Sequence, residues 1–477
     1  MVCDNRASSL SRRDFLSKSA LGFGSLALTA LMHDPAYASI YEDPSRIKQP
    51  MAPLPPQFSP KVKNVIFLFM EGGPSQVDTF DYKPRLEKEK GQPIKMDVPM
   101  TQFNNVGTVL PSPWEFKQRG ESGMWVSELF PHVAKCADDL AVIHSMTSKF
   151  SEHTSANYFV HSGFGQQGRP SMGSWVTYGL GSESHNFPGF IVLDSGLIPP
   201  GGMEIFGSGF LPAAYQGSLF RNKEQPVADI VPKEETPQLQ KEKLTLLQSL
   251  NQIVLERMGG DDKLEATISN YELAFRMQSA VPELTNLQEE SKATRDSYGI
   301  GKEPTDRFGR QCLTARRLIE RGVRFIELLP PSMPGHDRWD QHSRLFEGHR
   351  DNSAAVDQPI AALLQDLKAH GLFDSTLVIW GGEFGRTPMA QGSNGRDHNP
   401  YGFTMWMAGG GVKGGTVYGS TDDYGYYAVE NVTEIHDLHA TMLHLLGIDH
   451  EKLTYFYGGR GMRLTDVHGK LIEGVLV

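Results

Sequence analysis

Cysteine is nearly absent from this chain, with three in 477 residues. Cys3 precedes any usable cleavage point, so Cys136 and Cys312 remain, too few for a disulfide framework. One bridge or two buried thiols stay open, and two thiols are the expectation. An excess of positive charge is missing too: 46 Lys and Arg stand against 56 Asp and Glu, a formal net charge of -10. Such a surface does not attract nucleic acid or an anionic bilayer, which leaves small molecules or glycans as expected partners. No apolar run reaches the ~20 residues of a membrane-spanning helix. No cysteine cluster, haem signature or Gly-x-Gly-x-x-Gly after a strand marks a redox cofactor.

What is present begins with SRRDFL at Ser11–Leu16, a weakly apolar stretch from Ala20 to Met32, and Ala36-Tyr37-Ala38 as a small-x-small cleavage site. Paired arginines, apolar run and cleavage site in that order read as a twin-arginine signal over 1–38. The expected location is therefore periplasmic or extracellular, with the twin-arginine translocase as a partner during export and no transmembrane anchor in the mature form. That route moves folded proteins and is often used where a cofactor is loaded first.

Residues 39–60 are rich in Pro and polar residues and read as a linker or surface-hugging arm. A single α/β domain is expected over 61–477. Asn64–Met70 (NVIFLFM) is a continuous apolar run, the pattern of a strand buried on both faces in a parallel sheet. Val323–Leu329 and Thr376–Trp380 read as further strands, flanking a helix over 352–370 whose apolar residues Val356, Ile360, Leu363, Leu364 and Leu367 share one face and whose stop signal is Gly371. Together they read as a βαβ unit with a parallel strand pair. Phe403–Ala408 is another strand candidate and Asp437–Leu446 a closing helix. Between about 222 and 306 the spacing of Leu244, Leu247, Leu250 and Val254, then of Leu264, Ile268, Tyr271 and Ala274, predicts an insertion of two amphipathic helices joined at Gly259-Gly260, with a packing role.

In an open parallel sheet ligands bind beyond the carboxyl ends of the strands. Three segments there have unusual composition. EGGPSQVDTFD carries Glu71, Asp78 and Asp81. HDRWDQH carries His336, Asp337, Asp340 and His342. GGEFGR and the following RDHNP carry Glu383, Arg386, Asp397 and His398. Each residue alone is equally well a loop hydrogen-bonder or a helix cap. Their joint placement is what a hydrolytic metal site needs, since carboxylates and imidazoles neutralise a cation while leaving positions open for water or substrate. Mixed oxygen and nitrogen donors suit Zn, Mn or Fe better than Ca, and Zn or Mn is the expectation, in unknown number. Arg386 suits a sulfate, phosphate or carboxylate group, or a structural salt bridge. Of His436, His439 and His444 on the closing helix, His439 is the one retained as a ligand candidate.

Over nearly its full length the chain resembles the bacterial family of exported proteins called domain of unknown function 1501. The matching segments are SRRDFL, FMEGGPSQVDTFDYKP, SEHTSANYFVHSG, WDQH, TLVIWGGEFGRTP, GRDHNPYG, AGGGVKGGTVYGSTD and DLHATMLHLLGI. That family is grouped with the alkaline phosphatase and sulfatase superfamily. The resemblance implies a doubly wound, mostly parallel α/β sheet with helices on both faces, and a metal site hydrolysing phosphate or sulfate esters. By resemblance Glu383-Phe384-Gly385 looks like the superfamily's Asp-His-Gly ligand motif, and Asp340 with His342 like a second ligand group.

The departure is at the nucleophile. The superfamily places a modified cysteine, a serine or a threonine at a helix start, ten residues before a glycine; counting back from Gly163 lands on His153. A histidine there forms a phospho-enzyme, binds metal or acts as a general base, with Thr154 or Ser155 as a displaced nucleophile. Without a cysteine in this segment, formylglycine chemistry is excluded. The reading is an exported metal-dependent hydrolase of sulfate or phosphate esters, acting on a small molecule or glycan. Its rival is a non-catalytic extracytoplasmic binding or assembly protein on the same fold.

Overall fold

The computed structural model describes residues 50–477 apart from 100–106, 222–225, 228–229, 231–235, 259–261 and 336. The twin-arginine segment, the first part of the linker and His336 therefore lie outside the described residues.

The first strand, β1 (Asn64–Phe69), is buried along its whole length, as a continuous apolar run requires when both sheet faces are covered. The other strands of the main sheet are β2 (Leu140–Thr147), β3 (Phe190–Asp194), β4 (Ser218–Arg221), β5 (Phe325–Leu328) and β6 (Thr376–Gly381). A hairpin, β7 (Gly385–Gln391) and β8 (Gly395–Asn399), stands off the sheet, and β9 (Phe403–Gly409), β10 (Thr416–Tyr418) and β11 (Thr433–Glu434) complete it. The spatial order is β10-β2-β9-β6-β1-β5-β3-β4, with β11 also on β2. Pairing is parallel except for β9, which runs antiparallel to both β6 and β2.

One expectation needs correcting. Val323–Leu329 and Thr376–Trp380 are parallel, but they are not neighbours, because β1 lies between them and pairs with each. The most apolar strand takes the centre, where both of its edges and both of its faces are covered.

Side chains alternate across the sheet. Ile66, Leu68, Ile326, Leu328 and Val378 join one core with α5 (Asp306–Glu320) and α6 (Leu345–Ala369). Phe67 and Phe69 point the other way, onto the ring of His161 in α1 (His153–Ser162). Helices therefore cover both faces, and each fully buried Phe or Leu contributes about 1.5–3 kcal/mol. Helix α6 begins at Leu345, earlier than its apolar spacing predicted, because Leu345, His349 and Asn352 are buried as well. After α2 (Met172–Leu180) come two consecutive helices, α3 (Pro237–Met258) and α4 (Asp262–Thr285), where two amphipathic helices were expected; the expected joint at Gly259-Gly260 lies outside the described residues. The closing helix is α7 (Ile435–Leu445). Cys136 and Cys312 are buried free thiols. Residues 50–60 lie along the domain, with Leu54 N on Leu180 O and Gln57 N on Gly447 O, both at 2.9 Å.

Candidate metal centre

Helix α1 presents His153 at its first turn. Its N-cap, Glu152, accepts from Thr154 N at 2.9 Å and Ser155 N at 3.1 Å. These are two of the amides a helix start leaves unpaired. At the other end Gly163 adopts φ 68°, and the carbonyls of Val160 and Gly163 accept from His439 Nε2 at 2.8 Å and His436 Nε2 at 2.9 Å. The closing helix thus anchors α1.

The turn after β1 makes a close approach possible. Gly72 has φ +105°, and a Cβ there would lie 2.7 Å from the backbone nitrogens of Trp339 and Asp340. With no side chain in the way, Gly72 N donates to Glu383 Oε1 at 3.0 Å and Oε2 at 3.2 Å. Glu383 follows β6 and is fully buried. His153 Nδ1 lies 2.6 Å from Glu383 Oε1. On its other side His153 Nε2 is 3.2 Å from Asp340 Oδ2, yet has no partner with hydrogen-bond geometry.

Asp340 is the hub. Its Oδ1 accepts from Arg386 Nη2 at 2.6 Å, and His342 Nε2 and His398 Nε2 lie beside it at 3.0 and 3.3 Å. His342 Nδ1 is held by Gln391 Oε1 on β7, and His398 Nδ1 by Ser151 O at 2.6 Å. Two donor groups result, sharing His153: His153, Asp340, His342 and His398 in one, Glu71, His153 and Glu383 in the other. Within each, the ligand atoms lie within 4.8 Å of one another.

Burial shapes the charges. Burial and the carboxylate of Glu383 push Glu71 up to about 7, against the pull of Arg338. Burial opposes ionisation of Asp340, but Arg386 and the three imidazoles hold it well below the usual carboxylate range. Burial and Arg386 lower His398 to about 4, so it is neutral at pH 7 and its Nε2 has a lone pair to offer. Burial also disfavours charge on His153, yet the neighbouring carboxylates of Asp340 and Glu383 outweigh it and raise the imidazole to about 10. A proton on His153 answers the carboxylates of Glu383 and Asp340 with positive charge. Three imidazole nitrogens, the orphaned His153 Nε2 among them, and several carboxylate oxygens fit a divalent cation.

Not every candidate converges here. Asp78 is fully buried in a pair with Arg396, at 2.7 Å from Nε and 3.2 Å from Nη2. His439 caps α1 from within the core, and burial lowers it to about 3. Thr154 donates its amide to Glu152. Arg386 is close to the centre but fully buried. Its Nε donates to Gly73 O at 3.0 Å, Nη1 to Arg396 O at 3.3 Å, and Nη2 to Gly72 O and Asp340. A fork so occupied orients Asp340; it does not present itself to an anion. Sequence reasoning passed over Arg338, whose Nη1 reaches Glu71 Oε2 at 3.3 Å, and Gln391. Arg338 sits inside the segment already singled out between His336 and His342; for Gln391, only the hairpin register reveals the contact.

The sequence pattern of the family described as "Protein of unknown function (DUF1501)" matches residues 62–476. The chain belongs to the DUF1501 family. No curated protein matches this DUF1501 chain by sequence. Among solved structures it is similar to the lipoteichoic acid synthase LtaP from Listeria monocytogenes, at 10% identity and a TM-score of 0.38, over 91% of this chain and 82% of that one. It is also similar to the PsFucS1 sulfatase from Pseudoalteromonas sp., at 13% identity and a TM-score of 0.34, over 87% and 71%. The phosphonate monoester hydrolase SpPMH from Silicibacter pomeroyi aligns at 12% identity and a TM-score of 0.33, over 67% and 68%.

Proposed function

We propose that this DUF1501 chain is an exported, metal-dependent hydrolase of sulfate or phosphate esters. The observation that carries the reading is the convergence of His153, Asp340, His342 and His398, from a helix start, a loop and a hairpin, to within 4.8 Å. Zn or Mn suits that donor set. A bound cation supplies Lewis acidity at the ester oxygen and lowers the pKa of a water molecule.

The chain's own residues do the rest. Arg386 locks Asp340 in place and Gln391 orients His342 through Nδ1, as outer partners of metal ligands commonly do. Glu383 fixes the ring of His153 so that Nε2 faces Asp340. Water is the nucleophile in this reading. Export rests on the twin-arginine segment and places the enzyme in the periplasm or outside the cell, after passage through the twin-arginine translocase. Among the described residues no helix is long and apolar enough to cross a membrane.

The test is hydrolysis of 4-nitrophenyl sulfate and 4-nitrophenyl phosphate by Zn- or Mn-loaded mature protein, with His398→Ala as comparison. Turnover lost in His398→Ala supports the reading. Absence of turnover on both esters with metal bound favours the second reading, a binding protein on the same fold. The observation on that side is His153 standing where a hydroxyl or thiol nucleophile is expected.

A further inference from the structure

Two adjoining cavities of about 560 and 460 Å³ open where β3 and β4 end and α5 begins. They share Asp194, Arg221 and Arg310, and Arg307 lines the larger one. Three arginines gathered in one place run against the net charge of -10 of the whole chain. The carboxylates beside them are partly committed: Asp194 Oδ1 accepts from Gly196 N at 2.7 Å, and Asp306 holds Arg310 Nε at 3.0 and 3.1 Å while accepting from Gly301 N. Among the described residues nothing bonds the terminal nitrogens of Arg310 or the guanidinium of Arg221.

A second, independent observation points to a ligand. Gln311 lines the smaller cavity and is only 4% exposed. Its Nε2 is fixed on Leu193 O at 2.9 Å, which orients the amide and leaves Oε1 buried without a partner. A buried, unpaired acceptor costs stability unless something donates to it. Guanidinium forks suit sulfate, phosphate or carboxylate, and a fixed amide oxygen suits a hydroxyl. The two together describe an acidic sugar.

The pocket and the metal centre share one carboxyl edge. Leu197, in the loop just after Asp194, accepts from Arg338 Nη2, and Arg338 Nη1 reaches Glu71. In strand order β1 and β3 are separated only by β5, a lateral spacing of roughly 10 Å. That is a span for an oligosaccharide.

We propose that this arginine-lined pocket binds an acidic sugar unit, carrying sulfate, phosphate or carboxylate, of a glycan whose ester group is presented to the metal centre. The part that concerns the ester rests on the hydrolase reading; the pocket itself is judged by binding alone. The experiment is titration calorimetry of the mature full chain with a sulfated disaccharide, a neutral disaccharide and inorganic sulfate, using wild type and the double variant Arg221→Ala/Arg310→Ala. The sulfated disaccharide should saturate wild type. Its Kd should rise about tenfold or more in the double variant, as expected for lost charge-assisted bonds, with metal content per chain unchanged. The neutral disaccharide should bind at least tenfold more weakly. No saturable binding, or equal affinity in the double variant, would overturn the proposal. Inorganic sulfate binding as tightly as the disaccharide would overturn its sugar part. Failure of the hydrolase reading shows separately, as absent turnover of the nitrophenyl esters.

Discussion

His153 and Glu383 meet at 2.6 Å between Nδ1 and Oε1, across 230 residues of chain. Glu383 is fully buried, so this imidazole and Gly72 N are what make its charge tolerable. Replacing His153 by Ala removes the partner and leaves an uncompensated buried carboxylate, a loss of roughly 3–5 kcal/mol in metal-free protein. The shift of the urea midpoint measures it, and an unchanged midpoint would remove His153 from that role.

Arg386→Lys tests the occupied fork. An ammonium is a point charge on a flexible stem and cannot span Gly73 O, Arg396 O and Asp340 together. The expected loss is about 2–4 kcal/mol in folding stability, since several buried acceptors are stranded. A variant as stable as wild type would mean that Arg386 is not the anchor described.

Asp78 belongs to a different device. Asp78→Asn leaves Arg396 buried with one charge partner fewer, an expected destabilisation of about 3 kcal/mol or more. Metal content per folded chain should nonetheless match wild type, because Asp78 lies outside both donor groups. Metal loss from correctly folded Asp78→Asn would place it nearer the centre than the geometry does.

Two buried histidines set an acid limit. Burial lowers both His349 and His439 to about 3, and Ser75 N donates to His349 Nε2 at 3.0 Å, a bond only the neutral ring accepts. The unfolded chain, with His near 6.5, binds these protons first. Stability is therefore complete above about pH 6.5 and falls as the pH drops toward 3, by roughly 2 kcal/mol per histidine at pH 5. Comparing urea unfolding at pH 7 and pH 5 checks the sign. His439→Gln should flatten the slope; an unaltered slope would contradict the assignment.

The contrast between Asp340 and Asp78 shows what was legible in the sequence. Both are carboxylates near strand ends. Asp340, His342 and His398 could be grouped because the sheet topology brings successive strand ends to one edge, and topology follows from apolar runs such as Asn64–Met70. Asp78 could not be separated from them, because its partner Arg396 is 318 residues away and nothing local marks the pair. The same holds for Arg386, whose charge suggested a ligand while its burial makes it a scaffold. Helix spacing was readable for α6 and for the inserted helices. The central place of β1 between β5 and β6 was not, since strand order depends on long-range pairing that local periodicity does not encode.

A metal centre built on Asp340 is tested by the metal content per chain of natively purified mature protein, for wild type, His342→Ala and Glu383→Ala. Wild type should hold at least one equivalent of Zn or Mn, and the content should fall in both His342→Ala and Glu383→Ala. A correctly folded wild type that takes up no divalent metal would contradict it.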